Sequence, residues 1–167
     1  PTASLGGRRT HGAPPPGTAT LLVVDDTPGM WRVLHPLLAR VGWKATVARN
    51  CMEGVSAYKR AMPDIVLLDL ALPGLSALAL LKITRGHPQW KDVPVIVIHD
   101  PVDPDSASRL AAAQRLGAAH SINRAREPQG KANRSISLVS SAFPEEELLD
   151  AMRRIKPHAV PGAPAGR

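Results

Sequence analysis

Cysteine is almost missing from this chain. Cys51 stands alone among 167 residues, so no disulfide can close within it. That suits a reducing compartment, and a cytoplasmic location is the expectation. No apolar stretch approaches the roughly 20 residues that a membrane-spanning helix needs. The N-terminal segment has no apolar signal core. A glycine-rich phosphate loop is lacking, which argues against nucleotide binding. His87, His120 and His158 show none of the spacings of a zinc site. There is no long run of Lys or Arg either. The formal charge of +7 is spread along the chain and reads as a solvated surface. Trp31, Trp43 and Trp90 are not interleaved with basic residues, so packing is expected rather than base stacking. With no helical module for reading DNA in view, nucleic acid is not an expected partner.

What is present fits one domain. The hydrophobic fraction of 44% is enough for a core. Residues 1–18, rich in Gly, Pro and Arg, read as a flexible linker. Residues 157–167, with Pro157, Pro161 and Pro164, read as a flexible tail. The folded part is expected over 19–156. The chain opens on Pro1 rather than Met, which reads as a piece of a longer protein.

Within 19–156, short apolar runs alternate with amphipathic stretches. Leu21-Leu22-Val23-Val24, Ile65-Val66-Leu67-Leu68 and Val95-Ile96-Val97-Ile98 are continuous apolar runs, the pattern of strands buried on both faces. Lys44–Arg49 and Ala119–Asn123 read as further strands. Helical periodicity marks residues 29–41, which stop at Gly42, and 51–62, closed by Pro63. It also marks 76–85, 104–116, which stop at Gly117, and 144–155, with Pro144 and three glutamates in the first turn. Pro36 inside the first helix predicts a kink or a displaced start. Cys51 has no activating neighbour and is expected to be inert. Strands and helices in alternation imply a parallel sheet with helices on both faces.

Such sheets bind ligands beyond the carboxyl ends of their strands. Asp25 and Asp26 end the first expected strand, Asp69 the third, and His99 and Asp100 the fourth. If the first and third strands are neighbours, three carboxylates meet at one rim. Close carboxylates raise one another's pKa unless a cation sits among them. Mg²⁺ favours an octahedron of oxygen ligands and would shield an incoming phosphate during in-line transfer to a carboxylate. Taken singly, each Asp could instead cap a helix or close a turn.

Two segments carry a family resemblance: Leu21-Leu22-Val23-Val24-Asp25-Asp26, and Pro63-Asp64-Ile65-Val66-Leu67-Leu68-Asp69-Leu70-Ala71-Leu72-Pro73-Gly74. They resemble the two most specific motifs of response-regulator receiver domains. Val93–Ile98 and Leu116-Gly117-Ala118 resemble the approaches to that family's fourth and fifth strands. The resemblance covers about 20–124 and resumes at Phe143–Ile155. It implies an α/β, doubly wound, five-stranded parallel sheet of flavodoxin-like (βα)5 type, in strand order 2-1-3-4-5. It implies Asp69 as phosphoacceptor, with Asp25, Asp26, Asp69 and the Ala71 backbone carbonyl holding Mg²⁺. A histidine kinase or histidine phosphotransfer protein is the implied donor, and no enzymatic activity beyond the domain's own phosphorylation and dephosphorylation is expected. The output partner is not identifiable from the sequence, and a homodimer is left open.

The chain departs from that family at several positions. His99 stands where a Thr or Ser hydroxyl binds the phosphoryl group, and its charge depends on pH. Arg124 replaces the usual Lys, with Ala125 where the family has Pro; Lys131 is a second candidate for the Lys. Arg keeps the charge, yet its planar head does not imitate an ammonium point charge. Ser121 replaces the aromatic switch residue, which weakens the usual coupling to the output surface. Ser76-Ala77 replaces an Asp-Gly pair, with Ser76 a good N-cap. Residues 125–142 read as an insertion, with Ile136–Val139 as an extra strand or a docking arm. The leading function is a phosphoacceptor receiver. The alternative is a degenerate pseudo-receiver acting as a phosphorylation-independent interaction module. A weaker reading lets the basic insertion bind nucleic acid or an acidic protein face.

Overall fold

A computed structural model describes residues 18–73, 77–124 and 143–157. The elements run β1 (Thr20–Val24), α1 (Met30–Arg40), β2 (Lys44–Ala48), α2 (Cys51–Arg60), β3 (Ile65–Asp69), α3 (Ala77–Gly86), β4 (Val95–His99), α4 (Ser106–Arg115), β5 (His120–Asn123) and α5 (Glu145–Ile155). The five strands form one parallel sheet in the order β2-β1-β3-β4-β5. This is the doubly wound flavodoxin-like arrangement that the family resemblance implies, and the alternation of runs implies its parallel sheet covered on both faces.

The continuous apolar runs work because both faces of each central strand are covered. Leu21, Val23, Leu67, Ile96, Ile98 and Ile122 pack against α1 and α5. Leu22, Val24, Val66, Leu68, Val95 and Val97 pack against α2, α3 and α4. The alternation of the two sets along each strand follows from side chains pointing to opposite faces at successive residues. Trp43 and Trp90 are buried, and Trp31 lies at the surface, edge-on to His35.

Helix ends obey local chemistry. Gly42 takes φ 75° after α1, and Trp43 N–H donates to the Leu38 carbonyl at 2.9 Å. Gly117 takes φ 84° after α4, and Ala118 N–H donates to the Ala113 carbonyl at 3.0 Å. Left-handed backbone of this kind costs glycine little. At the start of α2, Asn50 is the N-cap, its Oδ1 accepting from Glu53 N–H at 2.9 Å, and Glu53 Oε2 reaches one residue further back to accept from Arg49 N–H at 2.8 Å. α1 runs through Pro36, which lies on its exposed side. The predicted α2 overshoots, since the helix ends at Arg60 and Met62 is exposed. Ser76, the insertion at 125–142 with Lys131 and Ile136–Val139, all of the expected 1–18 linker but Thr18, and all of the expected 157–167 tail but Pro157 lie outside the described residues. No helix among the described residues is long and apolar enough to cross a membrane.

Candidate functional site

The carboxyl ends of β1, β3, β4 and β5 form one rim, and the polar residues gather there. Asp25 follows β1 and continues the ladder, its N–H donating to the Ala48 carbonyl at 3.0 Å. Asp69 closes β3. Because β1 pairs with β3 at Val24–Leu68, the next residues, Asp25 and Asp69, sit side by side. Asp26 adds a third carboxylate. One ligand oxygen from each lies within 4.8 Å of the others. Asp25 and Asp69 are buried, whereas Asp26 is exposed. It is the one group of potential metal ligands of this kind among the described residues.

A cation just after β5 faces these groups. Arg124 Nη2 is 2.5 Å from Asp25 Oδ2 and 3.2 Å from Asp69 Oδ2. Its Nη1 donates to Thr27 Oγ1 at 2.8 Å. The backbone completes the shell: Thr27 N–H donates to Asp25 Oδ1 at 2.6 Å, and Ala71 N–H donates to Asp69 Oδ1 at 2.9 Å. Burial pushes the Asp69 pKa up. The Arg124 charge and the Ala71 N–H oppose that rise, and the neighbouring Asp25 and Asp26 add to it; burial wins. The donors suit a hard divalent ion, since all three are carboxylate oxygens on adjoining strand ends.

Of the residues singled out from sequence, Asp25, Asp26, Asp69 and Arg124 come together. Ala71 joins through its N–H. His99 joins by its backbone, its carbonyl accepting from Arg124 N–H at 2.7 Å. Its ring turns elsewhere: Nδ1 is 3.1 Å from Ser106 Oγ, the first residue of α4, and both residues are buried. The cause is strand alternation. His99 shares the parity of Val95 and Val97, whose side chains pack on the α2–α4 face. Ser121 pairs with Val97 and is half-buried.

Sequence reasoning missed three residues at this rim. Thr27 was legible as the third residue of an Asp-x-Thr turn, a known side-chain-to-backbone motif. Ser106 gave no signal. Arg109 of α4 donates from Nη1 to the Leu70 carbonyl at 3.1 Å and pairs through Nη2 with Asp103 at 2.9 Å. It thereby ties α4 to the residue that follows Asp69. Elsewhere, burial pushes the Cys51 thiol up, away from thiolate chemistry. His87 stacks on Trp90 at 3.8 Å between centroids.

Three carboxylates and a cation thus gather at the carboxyl rim of a doubly wound parallel α/β sheet. The model of the response regulator receiver domain matches residues 21–125. The chain therefore belongs to the receiver-domain family of two-component signalling. The probable transcriptional regulatory protein TcrX of Mycobacterium tuberculosis is 33% identical over 96 residues, 58% of this chain and 39% of that protein. Protein PilH of Pseudomonas aeruginosa is 30% identical over 80 residues, 48% of this chain and 66% of that protein. The DNA-binding transcriptional regulator NtrC of Escherichia coli is 38% identical over 86 residues, 51% of this chain and 18% of that protein. The chain thus spans less than two thirds of the length of these relatives. The chemotaxis response regulator CheY4 of Vibrio cholerae has the same fold, with a TM-score of 0.63 at 18% identity, covering 83% of this chain and 98% of that chain. So does the signal receiver domain of a signal transduction histidine kinase from Syntrophus aciditrophicus, with a TM-score of 0.63 at 22% identity, covering 83% and 89%.

Proposed function

We propose that this domain accepts a phosphoryl group on Asp69 from a phosphohistidine of a histidine kinase or histidine phosphotransfer protein. The observation that carries this reading is the convergence of Asp69 with Asp25, Asp26 and Arg124 at one rim. A carboxylate oxygen of Asp69 attacks phosphorus. The P–N bond to the donor imidazole breaks, and its electron pair returns to that nitrogen. Burial makes the Asp69 carboxylate more basic than an exposed one, which favours it as a nucleophile. Arg124 offers charge and paired donors to phosphoryl oxygens. His99 occupies the family's hydroxyl position, but its ring is held toward Ser106 of α4, so Arg124 is the phosphate-contacting side chain in this reading.

The carboxylates of Asp25, Asp26 and Asp69, with the Ala71 carbonyl, would hold Mg²⁺. When bound, the ion supplies charge neutralisation for the phosphoryl oxygens. The domain promotes its own phosphorylation and dephosphorylation and has no other turnover. The site works in the cytoplasm, and the output belongs to a partner protein or to a further part of a longer chain.

The test is intact mass after incubation with acetyl phosphate and MgCl2. Gain of one phosphoryl group by the native chain, and none by Asp69→Asn, supports the reading. No gain by the native chain rejects it in favour of a phosphorylation-independent interaction module.

A further inference from the structure

The acidic rim already holds a cation of its own. Arg124 is anchored at both ends. Its backbone N–H is fixed on the His99 carbonyl, and its guanidinium spans three groups on the far side of the rim. Asp25 and Asp69 are held alike. Each has one oxygen on a backbone N–H and the other facing Nη2. The arrangement leaves the Arg124 Nε buried with no hydrogen-bond partner. A buried donor without a partner is costly, and the two Nη contacts are what hold the guanidinium in this position.

We infer that Arg124 sets the affinity of this site for divalent cations: in the resting domain its guanidinium neutralises Asp25 and Asp69, and an ion enters only as that guanidinium leaves Asp25. The inference rests on the reading of the cluster as a Mg²⁺ site. Mg²⁺ demands short, near-octahedral contacts and gives up its water reluctantly. It repels a guanidinium that faces the same oxygens, most strongly where water is scarce. A lysine would oppose the ion less. It brings one charged nitrogen on a flexible stem, and it cannot hold Thr27, Asp25 and Asp69 with a rigid fork. Once released, the fork matches phosphoryl oxygens bidentately. One residue thus resists the ion before phosphorylation and grips the product after it.

The test titrates the full chain with MgCl2 by isothermal calorimetry, comparing the native protein with Arg124→Lys and Arg124→Gln. Circular dichroism and melting curves check that each variant is folded. If the closed guanidinium leaves about one molecule in ten competent, Arg124→Lys should bind Mg²⁺ about tenfold more tightly, and Arg124→Gln should also bind more tightly. Equal affinity of Arg124→Lys and the native chain overturns the inference, because charge alone would then explain any gain in Arg124→Gln. Absence of binding in all three overturns the underlying metal-site reading instead. A second measurement needs no variant. The Arg124 Nε–H resonance should shift on saturation with MgCl2. An unmoved Nε–H beside a shifting Ala71 amide would mean that the ion binds without displacing Arg124, and would also defeat the proposal.

Discussion

Asp64 and Asp69 flank the same strand, five positions apart, and the fold treats them in opposite ways. Asp64 lies at the amino end of the sheet. Its Oδ2 accepts from Thr20 N–H at 2.9 Å and from Thr20 Oγ1 at 3.1 Å, and its Oδ1 accepts from Lys156 Nζ at 3.0 Å. Burial alone would raise its pKa, but the Lys156 and Thr20 hydrogen bonds outweigh it and hold the group below the usual carboxylate value. Asp69 lies at the carboxyl end, deeper, beside two other carboxylates, and burial keeps its pKa above that value despite Arg124. The first carboxylate fastens the start of β1 and the end of α5 to the sheet. The second is kept in tension with its surroundings, which fits the phosphoacceptor role proposed for it.

This contrast can be broken in several ways. The largest expected effect is on phosphoryl uptake: Asp69→Asn should lose it entirely and Asp64→Asn should retain it, read by intact mass. If Asp64→Asn also abolished uptake in a folded protein, the two ends of β3 would not have separate roles.

Next in size is the pair of cations. Arg124→Ala strands Asp25, whose side chain is 1% exposed, and should cost about 2–3 kcal/mol in urea denaturation, since a buried charge that loses its partner is expensive. MgCl2 should recover part of that loss, because binding to the folded state alone stabilises it. Lys156→Met removes a solvent-facing partner and should cost under about 1 kcal/mol. Equal losses would erase the distinction between the two rims.

The smallest effects lie in the pH dependence. A lowered folded-state pKa means that Asp64 contributes stability above the unfolded carboxylate value and loses it as pH falls through its folded value. Asp69 has the reverse sign. Its ionisation costs stability, so that cost is absent at low pH and grows as pH rises from the unfolded value through the folded one. Near neutral pH, Asp64→Asn should lower the melting temperature and Asp69→Asn should raise it. The gap between the two variants should close as the solution is acidified below both pKa values. A gap independent of pH would show that hydrogen-bond geometry, not ionisation, separates them.

How much of this was legible in the sequence depends on how local the cause is. The four-residue apolar runs, Gly42 and Gly117 announced strands and helix ends because backbone sterics act on neighbours. The boundary of α2 was less legible, since nothing local forces a stop at Arg60 before Pro63. Asp25, Asp26 and Asp69 stood out because each follows a buried strand. The turn of the His99 ring toward α4 was available from the two-residue period of β4. Its partner Ser106 was not, since that contact depends on where α4 begins.

By itself the sequence determined the alternation of strands and helices, the burial of the sheet on both faces and the three carboxylates at strand ends. All of these follow from side-chain polarity and backbone preferences acting over a few residues. Only the tertiary structure decided that Arg124 reaches across to Asp25 and Thr27, nearly a hundred positions earlier in the chain, and that the pKa values of Asp64 and Asp69 are pushed in opposite directions. Those outcomes depend on which groups face one another across the packed sheet, because charge interactions and desolvation are set by distance in space and by depth, and neither is written in the order of the residues.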